Sequence, residues 1–190
     1  RSGAGMVRGV VAAASVGALQ QALPAALAAP WPEDDDALRA AVLDWADVVL
    51  VGPGLGRTVE ATALLDRVLS AWHGPVVLDA DALNRFEGRS EPLGAVLSGR
   101  PALLTPHPLE FARLAGATVE HVLAERFDAG ARLPLPPGAA VLLKGVPTVV
   151  TQGARRLVSA TGTPALATGG SGDVLGGIAA ALLARGAASP

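Results

Sequence analysis

From Asp47 onward the sequence repeats one arrangement, a short run of Val and Leu that stops at a polar or glycine residue and is followed by a longer segment of helical period. Asp47-Val48-Val49-Leu50-Val51 runs into Gly52, and Val76-Val77-Leu78 runs into Asp79. Ala102-Leu103-Leu104 stops at Thr105, and Ala140-Val141-Leu142-Leu143 stops at Lys144. The runs are continuous rather than alternating, as strands covered on both faces are. Linked by helices, such strands form βαβ units and a parallel sheet.

The local signals agree with that layout. A helix is predicted over Val59 to Trp72, and Asp34-Asp35-Asp36 place carboxylates at the start of a helix over 37–43, where backbone N–H groups lack partners. The last helix is predicted from about Ser171 to Arg185, with Gly186 as its stop. Thr148–Thr151 and Leu157–Ala160 flank Gln152-Gly153-Ala154-Arg155-Arg156 and read as a hairpin or a crossing connection. Leu133–Gly138, LPLPPG, reads as a loop. The chain shows no internal repeat.

Composition removes several classes of function. With 51% hydrophobic and 17% charged residues and a mean hydropathy of +0.43, the 190-residue chain is too apolar for general disorder and is the size of one domain. A formal charge of −2 offers no basic footprint for nucleic acid, and 3% aromatic residues make no base-stacking platform. The absence of Cys excludes disulfides, thiolate zinc sites and thiol nucleophiles. The apolar stretch Val10–Pro30 is broken by Ser15, Gln20, Gln21 and Pro24, so it does not read as a membrane span. No secretory pattern opens the chain. The expectation is a cytoplasmic protein without nucleic-acid or membrane partners, whose opening Arg1-Ser2-Gly3 is a cut rather than a natural start.

Ligands of an open parallel sheet bind beyond the carboxyl ends of its strands, and four such ends carry unusual residues. The first is Gly52-Pro53-Gly54-Leu55-Gly56-Arg57. A dinucleotide fingerprint begun at Gly52 would need glycine at 57, where Arg57 stands, and Pro53 removes a backbone donor. A loop that lets a ligand approach the main chain, or simply a tight turn, remains. His107, held between Pro106 and Pro108, is a ligand donor or a turn histidine. Lys144, the single lysine, is either a counter-charge for phosphate or a surface lysine without a partner. Ala167-Thr168-Gly169-Gly170-Ser171-Gly172-Asp173 bares N–H groups at a helix start, whose partial positive charge favours an anion. Asp173 is either a cap or the acceptor of a proton from an attacking hydroxyl. Gly176 and Gly177 are costly in a helix and point to close packing. No His and carboxylate spacing marks a metal site, so no protein metal ligand is assigned and any Mg²⁺ is expected on phosphate and water.

In order along the chain, VVLVGPGLGR, VVLDADALN, LLTPHPLEFARL, VLLKGVPTVVT and ATGGSGDVLGGIAAALLARG resemble the ATP- or ADP-dependent NAD(P)H-hydrate dehydratases. That resemblance implies a ribokinase-like, three-layer α/β/α fold with a mostly parallel central sheet, and one domain over residues 1–190 that is truncated at both ends. It implies phosphorylation of the hydroxyl of NADHX or NADPHX by ATP or ADP with Mg²⁺, then loss of phosphate. It makes Asp173 the catalytic base and a contact of the hydrated nucleotide. Lys144, Gly145, Val146, Pro147 and Thr148, with Gly170, Ser171 and Gly172, would hold the adenine nucleotide, while Gly54, Gly56 and His107 would line the hydrate site. The partners implied are small nucleotides and other copies of the chain, as a tetramer. Leu109 replaces glycine in PHPGE, Gly176 replaces alanine in DVLAG and Ser171 replaces threonine in GTGD. Two other readings are a ribokinase-like kinase of a hydroxymethylpyrimidine or hydroxyethylthiazole, and a nucleotide-binding module without turnover.

Overall fold

The computed structural model describes residues 2–186; the expectations placed on Arg1 and on Ala187–Pro190 lie outside them. The elements run β1 (Arg8–Val11), α1 (Val16–Ala22), β2 (Leu27–Pro30), α2 (Asp35–Leu38) continued by a π turn over Arg39–Leu43, β3 (Val49–Val51) and α3 (Val59–Ala71). They continue with β4 (Val76–Leu78), α4 (Asp81–Asn84), α5 (Ser90–Leu97), β5 (Ala102–Leu104), α6 (Pro108–Ala115), α7 (Val119–Ala124) and α8 (Arg126–Ala129). The chain closes with β6 (Ala139–Leu143), β7 (Thr148–Gln152), β8 (Arg155–Ser159) and α9 (Ser171–Ala184).

The central sheet has the order β3-β4-β5-β6-β7-β8. Its first four strands are parallel, with Leu50, Val77, Leu103 and Ala140 in one row. The last three are antiparallel, so the Gly153 turn closes a hairpin, one of the two connections anticipated there. Alternation across each strand sorts the residues into two layers. Val77, Leu103 and Ala140 face α9 and pack with its Ala180. Val76, Leu78, Ala102, Leu104, Val141 and Leu143 face the other way, where Leu65 and Leu69 of α3, Leu93 and Leu97 of α5, and Phe111 of α6 complete the main core. Helices therefore cover both faces of a mostly parallel sheet, as expected from the runs of Val and Leu.

Several boundaries and one motif differ from the sequence expectation. β3 starts at Val49 rather than Asp47, and α3 ends at Ala71 with Trp72 as its C-cap. Of the acidic triplet, Asp34 is the cap, its Oδ1 accepting from Ala37 N–H at 2.8 Å. The stretch read only as apolar and Ala-rich holds a separate parallel pair, β1 with β2, joined by α1. Its residues, Arg-Gly-Val-Val and Leu-Ala-Ala-Pro, carry too few β-branched side chains to announce a strand. Arg8 ties this pair to the body, donating to the carbonyls of Ala40 and Ala41 and stacking on Trp45. Among the described residues no helix is long and apolar enough to cross a membrane.

Leu104 is fully buried in the centre of the sheet. Leu104→Ala is expected to lower stability by about 2–5 kcal/mol, read as a shifted denaturant midpoint with an unchanged slope.

Candidate active site

Because β3 to β6 are parallel, their carboxyl ends open on one edge, and the loops that follow meet there. The turn after β3 leans on the turn after β4. Gly52 has φ +124°, and a Cβ on it would run into the carbonyl oxygen of Asp79, so no other residue fits. Gly54 (φ +65°) and Gly56 (φ +81°) face open space. Gly56 N–H donates to Asp81 Oδ2 at 2.9 Å, and Asp81 Oδ1 accepts from Asn84 at 3.4 Å. Asp81 thus anchors the glycine loop to α4.

Asp79 is the hub of the edge. Its carboxylate is buried at 2% exposure and accepts from Lys144 Nζ at 2.9 Å through Oδ1. Lys144 also lies 3.8 Å from Oε2 of the buried Glu110, and its N–H donates to Pro106 O at 2.9 Å. The lysine is therefore not a partnerless surface residue, because two buried carboxylates hold its ammonium at the end of β6. Neither Asp79 nor Glu110 is assigned a role by the sequence. The only signal for Asp79 is a lone acid closing an apolar strand.

His107 occupies the N-cap of α6. Its Nδ1 accepts from the N–H groups of Leu109 (3.2 Å) and Glu110 (3.3 Å), while Glu110 Oε2 accepts from His107 N–H at 2.8 Å. With Nδ1 an acceptor, the neutral ring carries its proton on Nε2, 3.4 Å from Glu110 Oε1. The turn role is thus realised, and the ring stays half-exposed. Leu109, the departure from glycine, is accommodated in the first turn of α6 with its side chain 43% exposed.

The start of α9 meets this cluster. Gly170 is the N-cap, with φ +84° and no side chain to satisfy the helix, so the N–H groups of Gly172 and Asp173 are left for a ligand. Ser171 Oγ turns back to Thr168 O at 2.8 Å. A Cβ on Gly172 would stand 3.7 Å from Lys144 Nζ and 3.8 Å from Asp79 Oδ2. The lysine and the helix start therefore face one another across a gap that a side chain would fill. Asp173 lies in the first turn, exposed to solvent. Further along, Gly176 lets α9 sit on Leu50, where a Cβ would come within 3.2 Å of its Cδ1. Gly177 has nothing near it, so the close packing expected there is found at Gly176 alone.

The Lys144–Thr148 loop is built over Arg126, a residue with no local mark in the sequence. Arg126 Nη1 donates to Lys144 O at 3.2 Å and Pro147 O at 3.0 Å, and Gly145, at φ +143°, leaves the space the guanidinium occupies. Burial holds the Arg126 pKa below the usual arginine range. Thr148 Oγ1 donates to Gly145 O at 2.7 Å, and the Val146–Pro147 peptide is cis. Among the described residues no group of three or more His, Cys, Asp or Glu side chains is placed to hold a metal ion.

Together these features define a ribokinase-like α/β protein in which the turns after β3, β4, β5 and β6 and the start of α9 gather at the carboxyl edge of the sheet. The chain belongs to the NAD(P)H-hydrate dehydratase family, whose model matches residues 1–189. It is 38% identical over 185 residues to the bifunctional NAD(P)H-hydrate repair enzyme Nnr of Vibrio cholerae, a match covering 97% of this chain and 36% of that protein. A ribokinase-like superfamily protein of Enterococcus faecalis superposes with a TM-score of 0.80 at 30% identity, covering 97% of this chain and 63% of the other. The ADP/ATP-dependent NAD(P)H-hydrate dehydratase of Bacillus subtilis, co-crystallised with ATP/Mg²⁺ and soaked with CoA, gives a TM-score of 0.76 at 30% identity. That match covers 96% of this chain and 65% of the Bacillus protein, so the chain spans only part of each relative.

Gly52→Ala forces the two turns apart and places alanine at a φ it rarely adopts. A loss of at least about 1–3 kcal/mol is expected from strain of this kind, measured by thermal or denaturant unfolding.

Proposed function

We propose that this chain carries the ADP- or ATP-dependent dehydration of hydrated NAD(P)H. The observation that carries the reading is the bare Gly172 facing Lys144 and Asp79. It leaves a gap where the ammonium, the uncapped N–H groups of α9 and the missing Cβ all suit a phosphate. In this reading the Lys144–Thr148 loop and Gly170, Ser171 and Gly172 hold the nucleotide. Gly54, Gly56 and His107 line the place of the hydrated nicotinamide nucleotide; open space at both glycines and an exposed ring edge support that role.

The fit of a magnesium nucleotide follows from the donors present. Asp79 keeps Oδ2 free of the lysine and turned toward the Gly172 gap, so it can receive a water of a phosphate-bound Mg²⁺. The ion supplies neutralisation of phosphate charge. Lys144 neutralises further charge, and the start of α9 directs its free N–H groups at the group being transferred.

Asp173 supplies the base. It takes the proton of the hydrate's hydroxyl as that oxygen bonds to the terminal phosphorus and the bond from phosphorus to the departing nucleotide oxygen breaks. The hydroxyl oxygen then leaves with the phosphoryl group as inorganic phosphate. The neighbouring ring carbon gives up a proton, and the double bond lost on hydration is restored. Exposure of Asp173 in the first turn of α9 suits contact with an arriving substrate. The reading also includes a cytoplasmic setting and assembly as a homo-oligomer. Val174, Ile178 and Leu182, an exposed row along α9, support self-association.

Asp173→Asn tests this. With the hydrate, Mg²⁺ and ADP or ATP, recovery of reduced-nicotinamide absorbance is expected to slow by about 10²–10⁴-fold, while calorimetric nucleotide binding persists. Undiminished repair overturns the reading. Phosphorylation of a thiazole or pyrimidine alcohol in place of the hydrate would replace it with a vitamin-precursor kinase, and binding without any turnover would leave a nucleotide-binding module.

A further inference from the structure

Arg126 is a buried cation for which the proposed chemistry has no use. It is 9% exposed, and among the described residues no carboxylate lies within ion-pair distance of it. The acids beside it in sequence are engaged elsewhere, Glu125 with Arg132 and His121, and Asp128 with Arg156 at 2.8 Å. A buried charge is costly unless something compensates it. Here the compensation is two backbone carbonyls, those of Lys144 and Pro147, both bonded to Nη1.

Those bonds set the orientation of the loop. In a planar trans peptide the C=O and the following N–H point in opposite directions. Turning the Lys144 carbonyl inward to Arg126 therefore turns the Gly145 N–H outward. That N–H makes no hydrogen bond among the described residues. The space for the guanidinium exists only because residue 145 is glycine, since a Cβ there would lie 2.5 Å from Nη1. The Lys144 side chain, on the same loop, reaches Asp79 and the Gly172 gap.

We infer that Arg126 is a positioning residue for nucleotide binding: from beneath the Lys144–Thr148 loop it aims the Gly145 N–H at the phosphate side and leaves its own charge unneutralised behind it. The inference rests on the reading of that loop as the nucleotide site. It does not extend to the hydrate side, where Gly54, Gly56 and His107 are supported by other residues. Loss of Arg126 should therefore separate the two substrates.

The test measures ADP affinity by calorimetry and the KM for the hydrate in Arg126→Met, Arg126→Lys and Lys144→Met, with melting temperatures as the check on folding. Arg126→Met is expected to weaken ADP about tenfold or more, the loss of two charge-assisted hydrogen bonds, with the hydrate KM changed by no more than roughly twofold. Arg126→Lys keeps the charge but is shorter and lacks the rigid planar head that fixes both bonds, and should fall between wild type and Arg126→Met. It alone decides if the Met variant does not fold. Unchanged ADP affinity in the Arg126 variants, beside a loss in Lys144→Met, overturns the inference and leaves the nucleotide site standing. An equal rise in ADP Kd and hydrate KM also overturns it, because a merely structural role would spoil both. If ADP binding survives in all three variants, the loop is not the nucleotide site and both readings fall.

Discussion

The ion pair between Asp79 and Lys144 organises the functional edge. A carboxylate buried at the end of β4 needs a partner, because desolvation without one is prohibitive. The single lysine of the chain supplies it from the end of β6, on the far side of β5. Two glycines border this pair. Gly52 gives way to the Asp79 carbonyl, while Gly172 leaves open the space beside the ammonium and the second carboxylate oxygen. Glu110 joins from α6 while holding the His107 N–H, so the loop after β5 is tied to the same centre.

The layers explain why α9 delivers its N-terminus there. Alternate residues of the central strands form a shallow row, Val77, Leu103 and Ala140, and α9 lies on it through small residues, Gly176 over Leu50 and Ala180 in the cluster. Close approach sets the helix height, and with it the position of the free N–H groups above the strand ends. The opposite face, filled by Phe111 and the leucines of α3 and α5, holds the strands in register. Core packing and site geometry therefore share the same residues, and a shift of α9 would disturb both.

Much of this was readable locally. Strand ends at Leu78, Leu104 and Leu143, an acidic helix cap within Asp34–Asp36, a reversal at Gln152–Arg156 and the glycine-led start of α9 each follow from a few adjacent residues, while the structure chose Asp34 as the cap and the hairpin as the connection. Where local preference is weak the strands went unread: β1 and β2, Arg-Gly-Val-Val and Leu-Ala-Ala-Pro, mix strand formers with Gly, Ala and Pro, and Arg8 ties the pair to Trp45 and the backbone of Ala40 and Ala41. Gly177 shows the converse, a residue with the mark of close packing that meets nothing.

The succession of short apolar strands and helices after Asp47 and the small set of chemically unusual residues at the strand ends were determined by the sequence, because periodicity and turn chemistry act over a few positions. Which of those residues meet was decided only by the tertiary structure. Asp79 and Lys144 are 65 positions apart, and Arg126 is 18 from the loop carbonyl it first engages. Pairing over such distances is set by strand order and the buried charges that must be satisfied across it. No local pattern encodes it.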